Sequence, residues 1–167
     1  MKLNDLFDAL ESSNIYKKFK AENPESFLCA GFFILDIKEN REEYNLDYTN
    51  GTMITSFTIP EDSEMITSKT DEVLDSSKPL NKVSLDVVLD LDNLIGKVEE
   101  EIIKNYKQKK LEKIIAVLQN SDGKTIWNLT CMLEGLAIVS IKIDANTEEI
   151  LVSEKRSLFD VVRLGEK

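Results

Sequence analysis

The chain has 167 residues and a formal net charge of −10, from 21 Lys and Arg against 31 Asp and Glu. This charge argues against nucleic acid and anionic membranes as partners, because phosphate groups are bound by clustered Lys and Arg. The hydrophobic fraction of 42% is sufficient for a packed core, so it excludes a chain that is disordered throughout.

The first half of the chain is predicted to begin with an amphipathic helix from about Leu3 to Lys20. Pro24 prevents this helix from continuing further. Residues 27–37 follow as a strand that is apolar on both faces, which is typical of a central position in a sheet. Alternating strands then flank the turn signal Asn50-Gly51, and a short edge strand ends the half.

The second half repeats this order after the polar segment 75–83, which is predicted to be a linker. Residues 83–89 fit either a strand or part of the following helix, because their periodicity does not decide between the two. That helix is predicted from residues 90–92, where acidic side chains suit a helix start. Residues 111–118 are again apolar on both faces, and alternating strands follow them.

The two halves also share short stretches of sequence. Tyr44-Asn45-Leu46 and Trp127-Asn128-Leu129 lie 83 positions apart, and residues 54–59 align with residues 138–143 at an offset of 84. The simplest interpretation is an internal duplication. The alternative is chance similarity between amphipathic elements.

A family resemblance lies in the run from Trp127-Asn-Leu to Ile141-Lys-Ile-Asp144-Ala-Asn-Thr147-Glu-Glu-Ile150. An aromatic-led strand, followed by a strand that ends in Asp-Ala-x-Thr, resembles a PepSY-type domain over about residues 90–155. Glu149 stands where that family usually has glycine. The resemblance implies a cystatin-like meander crossed by one helix, and a non-catalytic role such as inhibiting or regulating a partner protein.

The predicted fold class is therefore α+β, with two helix-plus-antiparallel-sheet repeats. The first repeat is assigned to residues 1–74 and the second to residues 84–167, on either side of the linker 75–83. Whether the two repeats form one domain or two is left open.

The chain offers little chemistry at the level of sequence. It has no histidine, its two cysteines are 102 positions apart, and it lacks the glycine-rich loops that bind phosphate groups. The run from Asp90 to Glu101 superficially resembles a calcium loop, but apolar Leu94 and Ile95 occupy the ligand and glycine positions, so a helix start is favoured. We expect no catalytic residue, metal or cofactor, and therefore a protein that is not an enzyme.

Cys29 and Cys131 both lie in apolar runs, which favours two buried thiols in a reducing compartment; one disulfide is the alternative. The first residues include acids where a signal peptide is apolar, and no segment approaches the ~18 apolar residues of a membrane span. These features predict a cytoplasmic protein.

A surface for protein binding follows from the strands that are apolar on both faces. One helix covers one face of each sheet, so the second face is expected to pack on the sister repeat, a second subunit or a partner protein. The predicted interface residues are Phe32, Ile34, Ile114, Leu118, Asn128, Thr130 and Met132. Two other functions remain open: a homodimer or assembly subunit, and a small-molecule cavity between helix and sheet lined by Tyr44, Tyr48 and Trp127.

Overall fold

The computed structural model describes residues 1–73, 79–106 and 110–157. Residues 75–78 of the predicted linker lie outside them. The elements in chain order are α1 (Leu3–Ser12), α2 (Asn14–Glu22), β1 (Phe27–Asp36), β2 (Arg41–Thr49), β3 (Met53–Ile59), β4 (Thr67–Glu72), α3 (Leu91–Tyr106), β5 (Leu111–Ser121), β6 (Lys124–Leu133), β7 (Ala137–Asp144) and β8 (Ile150–Ser157).

The eight strands form one sheet in the order β4-β3-β2-β1-β5-β6-β7-β8, and every described pairing is antiparallel. The two inner strands, β1 and β5, pair directly with each other. Gly31 lies opposite Leu118, and Asp36 lies opposite Lys113. The remaining pairings join strands that are neighbours in the chain, as in a meander.

The predicted architecture of two separate helix-plus-sheet repeats is wrong. An apolar strand at the edge of a sheet would expose unpaired backbone N–H and C=O groups, and β1 and β5 pair these edges with each other. Two meanders thereby merge into a single sheet with one continuous core. The prediction allowed for two sheets packed through their faces and did not consider that they could join edge to edge.

The three helices of the described residues all contribute to one hydrophobic core on one face of this sheet. Leu3, Leu6 and Leu10 of α1 and Leu94 and Val98 of α3 are fully buried in it. The strands contribute every second side chain, as the pleat of a β-strand requires. The largest of these buried side chains are Trp127, Phe33 and Phe57.

The single helix predicted from Leu3 to Lys20 is divided at Ser13 into α1 and α2. The backbone of Ser13 is extended, with φ −77° and ψ 146°, and its hydroxyl oxygen accepts a hydrogen bond of 3.3 Å from the backbone N–H of Tyr16. Serine is a preferred residue at such a helix N-terminus. The break places Tyr16 and Phe19 against Tyr48 and Phe57, with ring centroids 5.1–6.0 Å apart.

The segment before α3 is neither a strand nor part of a helix. It runs along one end of the sheet, where the N–H of Val83 donates to the carbonyl of Leu28 and the N–H of Leu89 donates to the carbonyl of Ala145. Val83 and Leu89 are buried in the core. This settles the ambiguity of residues 83–89 and fixes where α3 begins.

Candidate functional site

The face of the sheet opposite the three helices is here called the open face. Its centre consists of Phe32 and Ile34 on β1 and Ile115 and Val117 on β5, all partly exposed. Phe32 lies directly opposite Val117, and Ile34 lies opposite Ile115. Because directly opposed side chains on one sheet face are close neighbours, these four form one apolar patch.

Polar side chains border this patch on the two flanking strands. On β6, Asn128 lies opposite Val117 and Thr130 lies opposite Ile115. On β2, Asn45 lies opposite Phe32. All three are partly exposed. Among the described residues, no helix packs on this side of the sheet.

The structure places five of the seven predicted interface residues together on the open face: Phe32, Ile34, Asn128, Thr130 and Met132. That these residues bind a partner stays a prediction. The other two require correction. Ile114 and Leu118 are fully buried under the helices, at 0% exposure, and cannot take part in a surface on the other side.

The sequence analysis predicted Ile114 and Leu118 as interface residues, whereas the residues of β5 that lie on the open face are Ile115 and Val117. Residues 114–118 are aliphatic throughout, so alternation gives no indication of which parity faces the helices. The register also shifts between Leu111 and Lys113, which prevents counting inward from the strand end. Lys113 did carry this information. It lies on the same face of β5 as Ile115, and a lysine is rarely buried, so this face is expected to be the exposed one.

An ion pair closes one end of the patch. The Lys113 ammonium lies 3.1 Å from the carboxylate of Asp36, whose side chain is nearly buried. Hydrogen bonding from the backbone N–H of Glu39, supported by Lys113, holds the pKa of Asp36 below its ordinary value. Asp36 is therefore charged at neutral pH and fixes the lysine at the border.

A second carboxylate, Asp47 on β2, has the opposite environment. Burial raises its pKa, and a hydrogen bond from the Ser56 hydroxyl only partly opposes the effect. Asp47 lies opposite Ala30 on β1 and Ser56 on β3, so it flanks the apolar patch from the β2 side.

The charges on the open face divide between the two halves of the sheet. Strands β1–β4 carry four acids against two bases on this face: Asp36, Glu43, Asp47 and Asp71 against Arg41 and Lys69. Strands β5–β8 carry four bases against two acids: Lys113, Lys124, Lys142 and Arg156 against Asp144 and Glu154. The described strands thus give the open face no net charge, with a negative half and a positive half.

The aromatic residues considered for a ligand cavity belong to the core. The Trp127 indole N–H donates a buried hydrogen bond of 2.8 Å to the carbonyl of Leu89, and the Tyr44 hydroxyl donates to Glu42. Tyr48 is buried, and its hydroxyl has no hydrogen-bond partner among the described residues. Cavities of about 340 and 390 Å³ border Tyr48 on the helix side of the sheet, one beside α2 and the other beside the segment 82–86.

The first residue of the run considered as a calcium loop, Asp90, joins the start of α1 to the start of α3. One carboxylate oxygen of Asp90 accepts hydrogen bonds from the backbone N–H groups of Leu3, at 2.9 Å, and Leu91, at 2.7 Å. Glu101 lies within α3, where it accepts a hydrogen bond from Asn105. Within residues 1–73, 79–106 and 110–157, no group of three or more Cys, Asp or Glu side chains is arranged to hold a metal ion.

The two cysteines are free and buried. Burial raises the pKa of each thiol to about 12, with the nearby Asp47 carboxylate contributing at Cys29. The Cys29 thiol donates a hydrogen bond of 3.3 Å to the carbonyl of Asp47. The structure thus has two separate thiols and no disulfide between them.

Comparison with known proteins gives a fold and no family. No family model matches the chain, and no curated protein matches it. The crystal structure of a "putative lipoprotein" from Clostridium difficile 630 has a similar fold, with a TM-score of 0.59 and 13% sequence identity over 86% of this chain and 91% of that chain. The PepSY resemblance stays a prediction. In the described part of the chain, each helix is too short or too polar to cross a bilayer.

Proposed function

We propose that this protein is a non-catalytic binding module that recognises another protein chain through the open face of its sheet. The observation that carries the proposal is the partly exposed patch of Phe32, Ile34, Ile115 and Val117, at the centre of a sheet face on which none of the described helices packs. Contiguous exposed apolar surface of this kind marks interaction sites in soluble proteins.

The arrangement around the patch supports the same function. Protein interfaces combine a desolvated apolar centre with a polar rim, and a few central residues supply most of the binding energy. Asn45, Asn128 and Thr130 form such a rim. The resemblance of residues 127–150 to PepSY-type domains implies the same class of role.

The proposal includes a cytoplasmic location, supported by the two buried free thiols. The Clostridium difficile 630 protein of similar fold is called a "putative lipoprotein", and a lipoprotein would be anchored to a membrane by lipid. Fractionation of cells that make the full-length protein tests this point: recovery in the membrane fraction, released only by detergent, would contradict a cytoplasmic location.

Site-specific photocrosslinking tests the binding surface. A photoreactive phenylalanine analogue at Val117 lies on the open face, and the same analogue at Lys104 lies on the exposed surface of α3 and serves as the control. We expect protein adducts from position 117 and not from position 104, and we expect Ile115→Asp to abolish them. Equal crosslinking from both positions, or adducts that survive Ile115→Asp, would contradict the proposal.

A further inference from the structure

The size of the open face suits a stable protein–protein contact. Eight strands spaced by about 4.8 Å and rising by about 3.3 Å per residue give a face of roughly 34 by 30 Å, or ~1,000 Å². A standard interface buries about 800 Å² of each partner, so one face of this sheet is large enough. The face of a twisted sheet is also the surface that packs on a second sheet in a β-sandwich.

The charges indicate which chain fits there. The whole protein has a net charge of −10, so two copies repel each other over most of their surface. The strands give the open face no net charge, and its β1–β4 half is negative while its β5–β8 half is positive. A surface with two opposite halves is complementary to itself when one copy is turned so that unlike halves meet.

We infer that the occupant of the open face is a second copy of this chain, packed face to face as a two-fold homodimer. This inference rests on the proposed function, because it names the partner of the same surface. The two-fold axis lies between the sheets and runs parallel to the central strands. That direction places the β1–β4 half of each copy over the β5–β8 half of the other, and each contact across the interface is formed twice.

The apolar patch lies on the axis of such a dimer. Phe32 and Ile34 of one copy face Ile115 and Val117 of the other, which produces a core between two aligned sheets. The exposed Glu43 and Asp71 lie in the negative half, and the exposed Lys124 and Lys142 lie in the positive half. The apolar centre supplies affinity, and the charged halves select the orientation.

Sedimentation equilibrium of the full chain tests the inference. We expect a dimer at micromolar concentration. Ile115→Asp should raise the dimer dissociation constant at least ~100-fold, as expected for a central interface residue. Circular dichroism of each variant establishes that the chain remains folded.

Charge reversal on exposed residues provides a second test that does not depend on the apolar patch. Glu43→Lys with Asp71→Lys makes both halves positive, and Lys124→Glu with Lys142→Glu makes both halves negative. Each double variant alone is expected to be monomeric. An equimolar mixture is expected to form a heterodimer, because every contact then joins unlike halves.

A wild-type chain that stays monomeric at high concentration overturns the homodimer. Photocrosslinks from position 117 to a different protein would in that case still support the open face as a binding surface. A dimer that survives Ile115→Asp with an unchanged dissociation constant overturns both, because association then uses another surface. If Ile115→Asp breaks the dimer but neither double variant weakens it, the proposed two-fold orientation is wrong.

Discussion

The indole N–H of Trp127 donates a hydrogen bond of 2.8 Å to the backbone carbonyl of Leu89, and both residues are buried. This contact joins β6 to the segment before α3. It turns the end of that segment towards the core at the point where α3 begins.

Trp127→Phe should destabilise the protein by about 1–3 kcal/mol, because it leaves the Leu89 carbonyl without its buried donor and leaves a space beside Phe33. Urea denaturation followed by circular dichroism measures the change. The matched control is Phe33→Leu, which reduces aromatic packing in the same cluster and removes no hydrogen bond. If Trp127→Phe is as stable as wild type, the hydrogen bond does not contribute as described.

Ile114 and Ile115 are neighbours on β5 that face opposite sides of the sheet, so they form a matched pair for substitution. Ile114→Asp places a charge in the core and should cost about 4 kcal/mol or more, which will unfold many small proteins. Ile115→Asp should cost about 1 kcal/mol in the monomer, mainly through poorer strand propensity.

Thermal melting of the two variants at a protein concentration that favours monomers makes the comparison. Equal destabilisation by both substitutions would show that the open face is covered in the folded chain. In that case the surface proposed for binding would not be available.

Asp36 and Asp47 should respond to pH in opposite directions. The pKa of Asp36 is lowered in the folded protein, so its contribution is present above the ordinary carboxyl pKa of about 4 and is lost as pH falls through the lower folded value. The pKa of Asp47 is raised by burial, so its ionised form destabilises the folded state at neutral pH, and protonation relieves this cost as pH falls.

Melting temperatures of Asp36→Asn and Asp47→Asn from pH 7 to pH 3 test this pair. Asp36→Asn should be less stable than wild type at pH 7, and the difference should shrink below about pH 4. Asp47→Asn should be more stable than wild type at pH 7 and lose that advantage at low pH. Parallel pH profiles for the two variants would contradict these environments.

The thiols of Cys29 and Cys131 should react slowly with a disulfide reagent in the folded protein. Both are buried, and burial raises each pKa to about 12, so very little thiolate is present at neutral pH. Absorbance of the released chromophore should show no fast reaction until guanidinium is added, and then two equivalents. Fast labelling of Cys131→Ala without denaturant would show that Cys29 is accessible.

Much of the local structure could be predicted from the sequence, because it depends on local patterns. The apolar stripe of α3 and the alternation of Trp127–Leu133 are signals that a few neighbouring residues carry. The start of α2 at Asn14 could also have been predicted from Ser13 as its N-cap residue, although the apolar stripe from Leu3 to Phe19 favoured one continuous helix.

The join between β1 and β5 could not be predicted in the same way. It pairs residues about 80 positions apart, and apolar character on both faces indicates a central strand without naming its neighbour. The prediction of Ile114 and Leu118 as interface residues was wrong for the same reason. Because residues 114–118 are aliphatic throughout, their pattern does not indicate which of them face the helices. Only the pairing of β5 with β1 shows that Ile115 and Val117 lie on the same face as Phe32 and Ile34.

The β1–β5 pairing also sets the order in which the sheet can assemble on the ribosome. Six of the seven described pairings join strands adjacent in the chain and close as soon as the second strand emerges. The edge of β1 must wait for β5, which begins about 75 residues after β1 ends, or roughly 4–15 s at usual synthesis rates. During that interval the nascent chain presents an unpaired, strongly apolar strand edge, which is the type of segment that chaperones bind and that leads to aggregation when synthesis stalls.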